Sequence, residues 1–124
     1  MKKLLIVDDS ITILETILVM LKEWGIEADT APSGIEAVEL AKKNRYDLVI
    51  LDIMMPKMDG NETLWHFERD KTMLRDTTPI IAMSSNDYKG AREGYISRGF
   101  TDYLPKPVTA AELRGVLEQY NILK

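Results

Sequence analysis

The chain is 124 residues long, with 45% hydrophobic and 29% charged residues, no cysteine and a formal net charge of −4. That length suits one soluble domain over residues 1–124 with an ample core, and the lack of cysteine excludes disulfides, thiolate metal sites and cysteine nucleophiles. The acidic balance without a Lys/Arg cluster argues against direct nucleic-acid binding; no apolar stretch reaches membrane-spanning length, residues 4–7 are too few for a secretion signal, and the cytoplasm is expected.

Leu4-Leu5-Ile6-Val7 is an unbroken aliphatic run, the mark of a strand buried on both faces, and it ends in Asp8-Asp9-Ser10. A helix is predicted over residues 11–24, where Leu14, Ile17, Leu18 and Leu21 recur at helical spacing and Thr12 with Glu15 fits a capping box. Ile13, Met20 and Trp24 widen its apolar face, which implies broad burial and leaves room for a docking patch. Gly25 stops the helix, and residues 26–30 alternate as a half-exposed edge strand does. Ser33-Gly34-Ile35-Glu36 reads as a capping box opening a helix to Lys43, with Ile35, Val38 and Ala41 facing inward. Leu48-Val49-Ile50-Leu51 is the next buried strand, and Asp52 ends it.

Behind Met55-Pro56, the stretch Asp59-Gly60-Asn61-Glu62 fits a turn into a capped helix that carries Leu64, Trp65, His66 and Phe67. Residues 70–78 form a polar connection, and Pro79 introduces the strand Ile80-Ile81-Ala82-Met83, which ends in Ser84-Ser85. Asn86 and Asp87 are placed to cap a helix in which Tyr88, Ala91 and Tyr95 share a face and which Gly99 terminates. A short strand at residues 101–104 runs into Pro105-Lys106-Pro107, and Thr109 with Glu112 opens a last helix with Leu113, Val116, Leu117 and Tyr120 on one face.

Five alternations of strand and helix build a doubly wound parallel sheet, an α/β fold with five helices on its two faces. All strand C-terminal ends then lie along one rim, which gathers Asp8, Asp9, Asp52, Ser84 and Lys106 from far apart in the chain. Carboxylates a few ångströms apart repel by roughly 4 kcal/mol per close pair at an effective dielectric near 20, so the cluster requires counter-charge. Lys106 supplies one positive charge and a divalent cation two more; all-oxygen ligands favour Mg2+ over zinc. A calcium hand is excluded, because the register set by Gly60 puts Met55, Lys57 and His66 at required acidic positions. Mg2+ beside a carboxylate, a hydroxyl and a lysine is the equipment of phosphoryl transfer to a carboxylate, with Asp52 the natural nucleophile. His66, the only histidine, reads as a solvated helix residue rather than a phosphoryl donor, and the methionines as gap-filling core.

Asp8-Asp9, Asp52 with Met55-Pro56 and Asp59-Gly60, Ser84, and Lys106-Pro107, each after its own strand, resemble the receiver domain of two-component response regulators over nearly the whole chain. The run Gly99-Phe100-Thr101-Asp102-Tyr103-Leu104-Pro105-Lys106-Pro107 is most similar to receivers fused to hybrid sensor histidine kinases. The resemblance implies the flavodoxin-like strand order 2-1-3-4-5 also found in chemotaxis regulators. It implies that Asp52 accepts a phosphoryl group from a phosphohistidine on an upstream kinase or phosphotransfer domain, with Mg2+ held by Asp8, Asp9, Asp52 and the Met54 carbonyl. Ser84, Lys106 and backbone amides near Met54 and Ser85 hold the phosphoryl oxygens on this reading, and Tyr103 and Ser84 act as the switch. Tyr103 is expected to turn from solvent into space vacated by Ser84, and an upstream partner is expected to dock on Ile13, Thr16, Pro107 and Val108. Ser84 stands where many members carry Thr, and Met54 puts an apolar side chain over the site.

Such a chain is a regulatory phosphoacceptor rather than an enzyme, acting on a downstream protein that the residues do not name; too few residues follow Lys106 for an output domain. Two rivals stand beside this reading. A small Mg2+-dependent phosphatase wants a second Asp two residues after its nucleophile, where this chain has Met54, and a partner-binding pseudo-receiver would have lost one of the acids or the lysine.

Overall fold

A computed structural model describes residues 2–85 and 89–124. Five strands alternate with five helices: β1 (Lys3–Val7), α1 (Ile11–Glu23), β2 (Glu27–Ala31), α2 (Gly34–Lys43), β3 (Leu48–Asp52), α3 (Gly60–Arg69), β4 (Ile80–Ser84), α4 (Ala91–Ser97), β5 (Asp102–Pro105) and α5 (Ala110–Gln119). The strands form one parallel sheet in the order β2-β1-β3-β4-β5, as the resemblance implied. The central strands β3 and β4 are buried at every position, whereas the edge strand β2 is exposed or half-buried until Ala31.

Successive strand residues point to opposite faces, so each aliphatic run feeds two cores at once. Leu5, Val7, Val49, Leu51 and Ala82 pack under α2, α3 and α4 through Ala37, Val38, Leu64, Phe67 and Tyr95. Leu4, Ile6, Leu48, Ile50, Ile81 and Met83 pack under α1 and α5 through Leu14, Ile17, Leu21, Leu113 and Leu117. This two-sided burial is why the runs are continuous rather than alternating.

Capping chemistry sets the helix starts. Ser33, Asp59 and Thr109 accept the backbone N–H of Glu36, Glu62 and Glu112 respectively, as their spacing predicts. In α1 the cap is Ser10, whose Oγ accepts the Ile13 N–H at 3.4 Å, and Thr12 lies inside the helix. Ser10 is the first residue past the acids with extended backbone, so the helix starts ahead of the predicted Thr12–Glu15 box. Ile35 is half exposed and not inward-facing: Ala37, Val38 and Ala41 define the buried stripe, which leaves Ile35 at its margin. α4 follows a left-handed Gly90, with no side-chain cap; the predicted caps Asn86 and Asp87, and Tyr88, lie outside the described residues.

Candidate functional site

The register of the sheet builds the acidic pocket. Val7 pairs with Leu51, so Asp8 and Asp52, each one residue further on, emerge side by side. The Asp8 N–H donates to the Ala31 carbonyl at 3.1 Å and the Ile53 N–H to the Met83 carbonyl at 3.1 Å, which holds the rim on both sides of the pair. Beyond β4, the Lys106 N–H donates to the Ser84 carbonyl at 2.9 Å, bringing the β5–α5 connection, with its cis Lys106–Pro107 bond, to the same edge. The turn after Asp52 closes through Gly60, whose N–H donates to the Ile53 carbonyl at 2.9 Å. A Cβ at Gly60 would come within 2.5 Å of the Asp52 carbonyl oxygen, so only glycine lets the turn pass this close.

Asp8 and Asp52 are buried at 0% and 1% exposure, and Asp9 is exposed. Carboxylate oxygens from all three lie within 4.8 Å of one another. Lys106 Nζ sits 2.8 Å from Asp8 Oδ2 and 3.0 Å from Asp52 Oδ1. Asp8 Oδ1 accepts the Ser10 N–H at 2.8 Å, which orients that carboxylate. Asp8 Oδ2 and both Asp52 oxygens are buried without a hydrogen bond of good geometry; for Asp8 Oδ2 and Asp52 Oδ1 the lysine is an ion-pair partner. Burial pushes the Asp52 carboxyl up to about 6, and the Asp8 charge adds to this against the opposing pull of Lys106 and the Met54 amide. Burial alone would lower the Lys106 ammonium, but its close contacts with the Asp8 and Asp52 carboxylates, at 2.8 and 3.0 Å, and their charges outweigh it and raise its pKa. Three carboxylates against one ammonium leave an excess of two negative charges when all are ionised, which is the charge of one divalent cation. The donor set is all oxygen, and Asp52 Oδ2 is a buried acceptor still lacking a hydrogen bond, so the residues present fit such an ion.

Ser84 is fully buried at the end of β4, opposite Pro105. Tyr103 is half-buried rather than turned to solvent: its hydroxyl donates to the Ser84 carbonyl at 3.2 Å and its ring stacks on Tyr95 at 5.2 Å. The reason is that Tyr95 of α4 offers a flat apolar surface beside β5. Met54 is 65% exposed at the rim, unlike the core methionines Met55, Met73 and Met83. Ile13, Thr16, Pro107 and Val108 meet around a cavity of about 340 Å3 that also takes in Ile17, Ser85 and Lys106, so the four residues expected to dock a partner adjoin the acidic pocket. His66 lies on α3 with its ring edge-on to Trp65 at 5.0 Å.

Two features had no counterpart in the reading of the sequence. Lys57, in the turn after Asp52, has a φ of 67°, a left-handed conformation that local composition does not signal in a lysine. Asp102 is 3% exposed in β5 and gathers donors from three elements; a carboxylate inside a strand was the available clue.

The comparisons with known proteins agree with this geometry. Residues 4–118 match the model of the response regulator receiver domain, and the chain belongs to that family. Its members are receiver domains of two-component systems, in which the phosphoacceptor role is general. The chain is 35% identical over 111 residues to the response regulator MprA of Mycobacterium sp. (strain KMS), covering 90% of this chain and 46% of that protein. It thus spans about half the length of that curated relative. Among solved structures, the chemotaxis response regulator CheY4 of Vibrio cholerae superposes with a TM-score of 0.87 at 32% identity, covering 97% of this chain and 98% of that one. The receiver domain of a sensor histidine kinase from Pseudomonas aeruginosa PAO1, solved with a magnesium ion coordinated in its active site cleft, gives 0.84 at 31% identity with 96% of each chain covered.

Proposed function

We propose that residues 1–124 act as a single receiver domain in which Asp52 is the phosphoacceptor. The observation that carries this is the buried Asp52 carboxylate, paired with Lys106 at 3.0 Å and beside two further acids at the open rim of the sheet. The donor is a phosphohistidine on a histidine kinase or phosphotransfer domain: its P–N bond breaks as an Asp52 oxygen forms the new P–O bond, and the imidazole leaves with a proton. Lys106 is placed to stay paired with the transferred group, and Ser84 ends the neighbouring strand where its hydroxyl can donate to a phosphoryl oxygen. Asp8, Asp9, Asp52 and the Met54 carbonyl would hold Mg2+, a reading supported by the magnesium ion in the active site cleft of the Pseudomonas neighbour. When bound, Mg2+ supplies two positive charges against the charge that develops on the transferring group.

The chain is on this reading a regulatory acceptor that assists its own phosphorylation, and its output passes through Ser84 and Tyr103 to a downstream protein target. A kinase supplied by cellular ATP places it in the cytoplasm; among the described residues no helix is long and apolar enough to cross a membrane. Incubation with a small acyl phosphate and Mg2+ should add one phosphoryl mass by intact mass spectrometry, and Asp52→Asn should add none. Equal labelling of the variant would refute the assignment.

A further inference from the structure

At the β5 edge of the sheet a second charged cluster forms around Asp102, which pairs with Ile81, three residues before Ser84 at the rim. Asp102 of β5, 3% exposed, is gripped by the Arg92 guanidinium of α4 in a fork, Nε to Oδ1 at 2.9 Å and one terminal nitrogen to Oδ2 at 3.2 Å. The Tyr120 hydroxyl, just past α5, donates to Oδ2 at 2.8 Å, and the N–H of Tyr103 donates to Oδ1 at 2.8 Å. One buried carboxylate therefore joins α4, β5 and the end of α5.

Beyond this fork α4 is anchored by a short apolar face, with Tyr95 set edge-on to Phe100 at 6.0 Å. It is seven residues long, its cap Gly90 offers no side chain, and only Ala91 and Tyr95 are buried. Tyr95 is also the ring on which Tyr103 stacks, so α4 meets the proposed switch twice, through that stack and through the Arg92 fork on the residue before it. A shift of α4 along β5 has to lengthen both guanidinium bonds and expose a carboxylate that lacks other cations among the described ion pairs.

We propose that Arg92, Asp102 and Tyr120 form a latch that holds α4 and Tyr103 in the arrangement seen here and thereby sets the balance between this arrangement and the alternative one to which the acceptor site is coupled. The inference rests on the receiver reading above and adds to it a regulatory element outside the pocket. Linkage makes it quantitative. If the latch stabilises only the arrangement seen here, opening it must change the affinity of the acceptor site for any ligand that favours one arrangement over the other, by the factor through which it shifts the two populations.

The test uses beryllofluoride with Mg2+ as the phosphoryl mimic on wild type, Arg92→Ala and Tyr120→Phe, followed by NMR. Arg92 is more than half exposed and Tyr120→Phe removes one oxygen, so both variants leave the core in place. The latch predicts that in the free Arg92→Ala protein the signals of Tyr103 and residues 91–97 move along the line that joins their free and beryllofluoride-bound positions in the wild type. It also predicts that the variant's affinity for the mimic differs from the wild type's by at least about fivefold, the lower end of ordinary allosteric coupling, with Tyr120→Phe shifting in the same direction. If wild type responds at Tyr103 and α4 while both variants bind with wild-type affinity and unmoved free-state signals, the latch is overturned and the receiver reading stands. If wild type shows no response to the mimic in the acidic pocket, the phosphoacceptor reading fails and the latch falls with it.

Discussion

Replacing Asp52 by Asn should stabilise the metal-free protein, and the size of the gain follows from the pocket. The side chain is 1% exposed, and its carboxyl is raised from 3.8 to about 6 by burial first and then by the Asp8 charge, after the favourable pull of Lys106 has been included. A raised acid is the reverse of the usual carboxylate. Its ionisation is easier in the unfolded chain, so the stability it contributes is fully present below pH 4 and is lost as pH rises through 6. Two pH units at about 1.4 kcal/mol each make the penalty about 3 kcal/mol at pH 7.5. The asparagine amide of the variant has no charge to desolvate, and Lys106 keeps Asp8 as its partner at 2.8 Å. Urea unfolding in a chelator, followed by Trp24 and Trp65 fluorescence between pH 4 and pH 8, should show the variant ahead by about 3 kcal/mol at the alkaline end, with the gap closing toward pH 4. A gap of the same size at every pH would mean that packing, not ionisation, separates the two proteins, and would refute the reasoning.

Lys57→Gly should stabilise the fold by about 0.5–1 kcal/mol, because a φ of 67° strains a lysine and suits glycine, partly offset by the freer unfolded chain; a urea midpoint at or below wild type would count against it. Millimolar Mg2+ should raise the melting temperature of the wild type and leave Asp9→Ala unmoved, since Asp9 is the exposed member of the acid cluster and its loss does not disturb the core. Ile13→Asp should abolish transfer from a histidine kinase that labels the wild type while leaving acyl-phosphate labelling intact, because Ile13 lines the cavity beside Lys106 and is not a member of the acid cluster; equal loss from both donors would point to misfolding.

Much of the fold was legible because its two signals are local. Continuous aliphatic runs such as Leu48 to Leu51 mark strands covered on both faces, and Ser33, Asp59 and Thr109 mark helix starts by a spacing of three to the residue they cap. The errors fall where two local signals compete. Ser10 and Thr12 are both able caps, and the one adjoining the extended segment after Asp9 prevailed. Ile35 has the hydrophobicity of a core residue, but the buried α2 stripe runs through Ala37, Val38 and Ala41, and the closest approach to α3 falls at Gly34, where a side chain would meet Thr63.

The acidic pocket and the Asp102 cluster were unequally visible for a related reason. A parallel sheet sends every strand end to one rim, so Asp8, Asp52, Ser84 and Lys106 converge whatever their side chains do, and backbone register alone is enough to foresee it. Arg92, Asp102 and Tyr120 converge only through side-chain reach. Glu93 and Glu112 also lie near Arg92 in the chain or along the same groove, and nothing in their spacing says which acid the guanidinium selects. Burial decides it: the carboxylate that would be left dry in β5 gains most from a forked partner, while the glutamates, closer to solvent, keep their water. That preference depends on the packed structure, so this second cluster emerges only when α4 and α5 are laid against the strand between them.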